Sequence, residues 1–200
     1  MIRKLFLALL ILAGAAAAGD AAPAPKLASA IFSGGCFWCT ESDFDHIPGV
    51  VSTISGYAGG RVANPSYEQV SAGDTGHLES VKVVYDPAKV SYQTLVARFF
   101  RTVDPLDGGG QFCDRGSQYR TAIFVANAAE RRVAETTRAR ASALLRKPVA
   151  TLILPVGPFY AAETYHQDYY RKNPVPYRYY RYRCGRDARL AEVWGKSAGH

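Results

Sequence analysis

Residues 27–49 read LASAIFSGGCFWCTESDFDHIPG, and this stretch sets the architecture. Leu27–Ser33 is a short, mostly apolar run closed by Gly34-Gly35, as expected of a buried strand that ends in a tight turn. Cys36–His46 follows as a helix, and Pro48-Gly49 stops it. Val50–Ser55 is rich in β-branched residues and should be the next strand. A strand, a helix and a strand in this order predict helices laid on a sheet, the α+β class.

The rest of the chain continues the mixture. Gly56–Gly60 reads as a glycine-rich loop, and Ser66–Val70 as a short helix. Leu78–Tyr85 alternates in part and predicts a strand. Ser91 can cap a helix running to Val103, with Leu95, Phe99 and Val103 at spacing four. Asp104–Gly116 holds four glycines and a proline and reads as a long functional loop. Tyr119–Val125 and Pro148–Leu154 should be strands, and Ala128–Leu145 and Ala161–Tyr170 helices. No internal repeat is present.

The chain has 200 residues, 48% apolar and 20% charged, which suits one packed domain over 27–200 and excludes global disorder. Its net charge of +7 is mild. It permits an acidic partner, but no basic recognition motif accompanies it, so a basic enzyme is favoured over a nucleic-acid binder. The one stretch suggesting RNA is the tail, where Tyr177, Tyr179, Tyr180 and Tyr182 interleave with Arg178, Arg181 and Arg183. The plainer reading, an aromatic segment wrapping the domain, is preferred.

Residues 1–18 have the form of a secretory signal. Arg3 and Lys4 are a positive start, Leu5–Leu12 an apolar core, and Ala16-Ala17-Ala18 a small-residue cleavage site. The apolar run is short for a membrane span of about 20 residues, so no stable insertion is expected after cleavage. Residues 19–26 form an Ala/Pro linker. The expected location is a bacterial periplasm, where the four cysteines (Cys36, Cys39, Cys113 and Cys184) are either oxidised structurally or used in redox chemistry.

Cys36 sits at the expected strand-to-helix turn. Unpaired N–H groups and the positive end of a helix favour a thiolate there. Phe37 and Trp38 can wall an apolar pocket beside it. Cys36 and Cys39 also form a C-x-x-C pair, which leaves open a zinc half-site, a dithiol oxidoreductase and a structural thiol pair. A zinc site lacks a second C-x-x-C, and thioredoxins place tryptophan before the pair rather than inside it.

Five segments taken together narrow this. They are Gly34-Gly35-Cys36-Phe37-Trp38, Ser55-Gly56-Tyr57-Ala58-Gly59-Gly60, Gly76-His77-Leu78-Glu79, Asp114-Arg115-Gly116-Ser117-Gln118-Tyr119-Arg120 and Tyr165-His166-Gln167-Asp168-Tyr169. In this order they resemble the type A peptide methionine sulfoxide reductases, from about Leu27 to about Trp194. The resemblance implies a two-layer α/β plait (ferredoxin-like) core, with extra strands and an irregular C-terminal segment. It implies reduction of the S epimer of methionine sulfoxide, free or in proteins, with no metal or organic cofactor. Cys36 matches the attacking cysteine and Glu79 the acid that protonates the sulfoxide oxygen. Tyr57 and Tyr119 match the tyrosines that hold that oxygen, Phe37 and Trp38 the walls around the methyl group, and Asp114 a pocket-organising aspartate. His166 is expected to make a structural hydrogen bond. A thioredoxin-type donor is implied for recycling. The chain departs from many members in having Cys39 and in lacking a glycine-rich cysteine tail. Cys184, then Cys39, then Cys113 are the candidates to resolve a sulfenic acid at Cys36.

Overall fold

Strand β1 (Ala28–Ser33), helix α1 (Phe37–Asp45) and strand β2 (Val50–Ala58) follow one another as expected in the computed structural model, which describes residues 26–195. The expected signal segment, and all of the expected linker but Lys26, lie outside the described residues. Alternation along β1 divides it between two clusters. Ala30 and Phe32 face the larger core, and Ile31 faces a smaller one with Ala58, Leu78, Ala122 and Phe124. Phe32 stacks on Phe44 of α1 at 4.7 Å and lies 5.2 Å from Phe99. Helix α1 is thereby anchored to the sheet through its last turn.

Strand β3 (Leu78–Tyr85) lies between β1 and β2 and runs antiparallel to both, in a register that pairs Ala30 with Val83 and Tyr57 with Glu79. Between β2 and β3 comes α2 (Tyr67–Ser71), started by a capping box of Ser66 and Gln69. Helix α3 (Tyr92–Arg101) is capped by Ser91, as its sequence suggests. The long loop after it contains a small hairpin, β4 (Gly110–Gln111) and β5 (Asp114–Arg115), and a 3-10 turn at Ser117–Tyr119. Strand β6 (Ala122–Val125) pairs with β1, and α4 (Ala128–Leu145) has the expected bounds under an Asn127 cap. Strand β7 (Leu152–Pro155) runs parallel to β6, and β8 (Phe159–Ala161) adds to the far edge beside β2. The sheet order is β7-β6-β1-β3-β2-β8, and the class is α+β.

Three expectations fail. The expected Gly56–Gly60 loop is strand as far as Ala58, because Gly56, Tyr57 and Ala58 pair with β3 on one side and β8 on the other. Ala161–Tyr170 is no helix. Its backbone is drawn into tertiary bonds instead: Ala162 N–H donates to the Ser55 carbonyl at 2.9 Å. The Gln167 amide bonds both the N–H and the carbonyl of Ser55 at 2.9 Å. Only α5 (Tyr169–Lys172) is helical there, after Asp168 at φ 53°. The C-terminal segment, in turn, is not irregular. It forms α6 (Pro174–Arg183), with proline in its first turn, and α7 (Arg186–Trp194), separated by Gly185 at φ 69°. The tail packs through Tyr177 and half-buried Tyr180, while Tyr179 and Tyr182 stay exposed. No helix among the described residues is long and apolar enough to cross a membrane.

Arg186 ties α7 to the centre. It is 2% exposed. Its guanidinium donates to the Thr102 carbonyl at 2.7 Å, to Asp43 at 3.2 Å and to the Gly34 carbonyl at 3.3 Å. Substituting Arg186→Met strands these acceptors in a buried place and should destabilise the fold by about 3 kcal/mol, since Asp43 keeps Arg181. A urea midpoint unchanged from the parent would refute this.

Candidate active site

Cys36 caps the N-terminus of α1, directly after the Gly34-Gly35 turn. Gly35 has φ +82°, and a Cβ there would come within 2.5 Å of the Gln111 side chain. Glycine is therefore required twice, by conformation and by the close approach of the β4 loop. The Cys36 carbonyl accepts from the N–H groups of Cys39 and Thr40, both at 3.2 Å, which starts the helix. The thiol side chain itself is buried, with Cys39 and Tyr180 among the neighbours that act on its pKa.

Glu79, on β3, lies under the same turn. Its carboxylate accepts the Phe37 N–H at 2.9 Å. It is 3% exposed, and burial pushes its pKa up to about 8. The carboxyl therefore carries a proton at neutral pH. Tyr57 pairs with Glu79 across β2 and β3, and its hydroxyl donates to Glu163 at 2.8 Å. Tyr119 ends the 3-10 turn. Burial and the nearby Glu79 hold its phenol well above the usual range, so it stays a donor. Phe37 is fully buried, with its ring 4.9 Å from His166 and 6.0 Å from Tyr57. Trp38 stacks flat on Tyr169 at 3.7 Å. Asp114, on β5, accepts a hydrogen bond from the Tyr180 hydroxyl.

The helix-end argument for an acidic Cys36 meets an opposing effect. Burial, the Cys39 neighbour and Glu79 raise its pKa well above that of a free thiol, whereas Cys39 is lowered by its bond to Cys36. Thiolate at Cys36 thus needs more than the helix end.

The cysteines divide into two pairs. Cys113, beside Asp114, is joined to Cys184 at the end of α6 by a disulfide, and Cys36 and Cys39 are free. Cys184 is therefore engaged elsewhere in this state. Cys39 is the free thiol one helical turn from Cys36, and its N–H donates to the Cys36 carbonyl.

A family model described as peptide methionine sulfoxide reductase matches residues 28–198. Peptide methionine sulfoxide reductase MsrA 2 of Caulobacter vibrioides is 50% identical over 96% of this chain and 96% of its own length. The chain belongs to this family. Among solved structures, reduced Mxr1 of Saccharomyces cerevisiae is 32% identical, with a TM-score of 0.72 over 75% of this chain and 87% of that one. A structure titled Mxr1 in complex with Trx2 matches at 21% identity and a TM-score of 0.52, over 76% of this chain and 91% of that one.

As a peptide methionine sulfoxide reductase the chain is an oxidoreductase acting on methionine sulfoxide. The structure brings Cys36, Phe37, Trp38, Tyr57, Glu79, Asp114 and Tyr119 around one turn. It also adds residues that the sequence did not mark. Glu163 accepts from the Tyr57 hydroxyl and, at 2.9 Å, from the Tyr67 backbone N–H, so it fixes the Tyr57 ring and the start of α2. The Tyr67 ring lies 4.5 Å from His166. His166 makes the structural bond expected of it: Nδ1 accepts from the Trp38 indole at 3.0 Å. Glu163 and Tyr67 carried no readable signal, because one sits in the segment misread as a helix and the other in a five-residue helix.

Proposed function

We propose that this reductase acts on the S epimer of methionine sulfoxide, free or in proteins, with Cys36 as the attacking sulfur. The observation that carries this is the convergence of Cys36 with a protonated Glu79 on one buried turn. Sulfoxide oxygen is a poor leaving group unless it is protonated. Cys36 thiolate bonds to the sulfoxide sulfur while Glu79 supplies the proton to oxygen, and the hydroxyls of Tyr57 and Tyr119 hold that oxygen. The oxygen passes from the substrate sulfur to the Cys36 sulfur as the bond between the two sulfurs breaks, so methionine leaves reduced by two electrons and Cys36 remains, oxidised by two, as a sulfenic acid. Phe37 and Trp38 enclose the methyl group. Asp114 organises the pocket wall.

Cys39 then attacks the sulfenic sulfur, releasing water and forming a Cys36–Cys39 disulfide. Its place one helical turn from Cys36 supports this choice, as does the engagement of Cys184 with Cys113. A thioredoxin-type dithiol reduces that disulfide by exchange, in line with the Trx2 complex described for the yeast relative. The form of residues 1–18 supports export to a periplasm, where the donor must be a membrane-relayed one. The sheet portion β6-β1-β3-β2, with β3 inserted between the parallel β1 and β2, supports a plait-like core. A general C-x-x-C disulfide reductase is disfavoured, because the family match is to peptide methionine sulfoxide reductases and the buried Glu79 carboxyl at the Cys36 turn suits a sulfoxide oxygen, which a disulfide does not have.

The test is a mixture of S and R epimers of blocked methionine sulfoxide, with dithiothreitol as donor and chiral separation of what remains. Loss of the S epimer alone is expected. Loss of neither from folded protein would overturn the assignment. Cys39→Ala should yield about one methionine per enzyme with a thioredoxin-type donor and then stall. Sustained turnover in that variant, and stalling in Cys184→Ala, would move the resolving role to Cys184.

A further inference from the structure

The site holds a second carboxyl that sulfoxide protonation does not use, and it is linked to Cys36. The Tyr180 hydroxyl donates to an oxygen of Asp114 and lies near enough to the Cys36 thiol to pull its pKa down. Tyr180 is thus a bridge of one oxygen between a buried thiol and a half-buried carboxylate. The bridge is firmly built. Tyr180 lies one helical turn before Cys184, and the Cys184 N–H donates to the Tyr180 carbonyl at 2.9 Å. Cys184 is bonded to Cys113, the neighbour of Asp114. Helix α6 and the β4–β5 hairpin are therefore fastened twice, by a disulfide and by the Tyr180–Asp114 bond one turn away. The Tyr180 ring also meets Trp38 edge-on at 5.8 Å.

We propose that Tyr180 and Asp114 form a proton relay that converts Cys36 to its thiolate, with Asp114 as the base and Tyr180 as the carrier. This rests on Cys36 being the attacking sulfur. The Cys36 S–H proton passes to the Tyr180 oxygen as the Tyr180 proton passes to the Asp114 carboxylate. The products are a Cys36 thiolate that accepts a hydrogen bond from Tyr180, and a neutral Asp114 that donates one to Tyr180. One negative charge is present before and after, no electrons move, and no proton crosses to water. The buried thiol gains its charge without exposure, and Glu79 keeps its proton for the substrate oxygen. The two carboxyls thus take opposite tasks, Glu79 as acid and Asp114 as base. Burial raises Asp114 above an ordinary aspartate, which makes it the stronger base.

Other groups face Cys36 as well. They are Cys39 on α1, Glu79 on β3, Tyr67 on α2 and Tyr119 on the 3-10 turn. None of the tyrosines loses a proton near neutral pH. Arg181 and Arg186 act on Cys39. The relay therefore has a distinctive pH signature. Between the titration of Asp114 and that of the thiol, transfer within the relay does not depend on pH, so Cys36 reactivity has a plateau there.

The measurement is the rate of iodoacetamide alkylation at Cys36, read by mass spectrometry from about pH 5 to pH 10. It is made in a Cys39→Ala background with the Cys113–Cys184 disulfide intact. The Cys39→Ala protein should show a flat rate from about pH 6 to pH 8. Adding Tyr180→Phe or Asp114→Asn should lower the rate at pH 7 about tenfold or more and replace the plateau by a tenfold rise per pH unit. The double variant should be no worse than either single one, because one relay is broken only once. Single-turnover sulfoxide reduction at saturating substrate should fall about a hundredfold in each. A parent rate that already rises tenfold per unit, a plateau that survives Tyr180→Phe, or losses that multiply in the double variant would each overturn the relay. Failure of the parent to reduce either epimer sinks the sulfoxide assignment instead, and the alkylation profile still decides the relay.

Discussion

Glu79→Gln should lower sulfoxide reduction about a thousandfold and at the same time make the protein more stable at pH 8. The loss follows from the acid role: glutamine keeps the size of the side chain but has no proton to give, and general acid catalysis contributes 10²–10⁴-fold. The gain follows from linkage. Burial lifts the folded pKa of Glu79 to about 8, above its ordinary value of 4.5. A carboxyl raised by folding contributes stability fully below its unfolded pKa and loses it as pH climbs to the folded value. Each unit of displacement is worth about 1.4 kcal/mol, so the parent sheds a few kcal/mol across that window and the amide sheds none. Urea unfolding at pH 5 and pH 8, alongside activity, tests both halves. A variant that is inactive and also less stable at pH 8 would show that Glu79 is structural. The parent's activity should fall as pH rises through about 8, where the acid is lost; activity still climbing at pH 9 would refute the acid role.

Cys36→Ser should abolish reduction of the S epimer, by on the order of 10⁴-fold or more. A serine hydroxyl in the same buried position keeps its proton far more tightly and forms no counterpart to the sulfenic acid. The substitution removes one polarisable atom and leaves the Cys36 carbonyl to accept from Cys39 and Thr40, so the helix start persists. Circular dichroism and the urea midpoint should match the parent. Residual S-specific reduction above a hundredth of the parent rate would move the nucleophile elsewhere, with Cys39 the nearest free thiol.

What the sequence disclosed follows the range of the interactions. Helix α4 was legible to the residue because Asn127 caps it and one amphipathic run fills it. Cys36, Phe37 and Trp38 were legible because they adjoin one another at a strand-to-helix turn. Tyr57 and Glu79 were found by resemblance, but their meeting depends on the β2–β3 register, which no local pattern states. Ala161–Tyr170 misled because its composition suits a helix, whereas Gln167 and Ala162 take their partners from Ser55, more than a hundred residues away. Tyr180 was visible only as one of several tail tyrosines; its role depends on which face of α6 meets Asp114. Four cysteines allow three pairings, and spacing alone does not choose among them.

The Cys113–Cys184 bond has a thermodynamic consequence as well as a positional one. It closes a loop across 71 residues of sequence, including β6, α4, β7 and β8. On chain-entropy grounds such a closure disfavours the unfolded ensemble by about 4 kcal/mol, a large part of a typical domain's margin. The dithiol that regenerates the active sulfur attacks disulfides in general, and Cys113 is exposed to it. Each assay in dithiothreitol is then a race between turnover and wear, and the working life of the enzyme depends on how well its physiological donor tells one sulfur pair from the other.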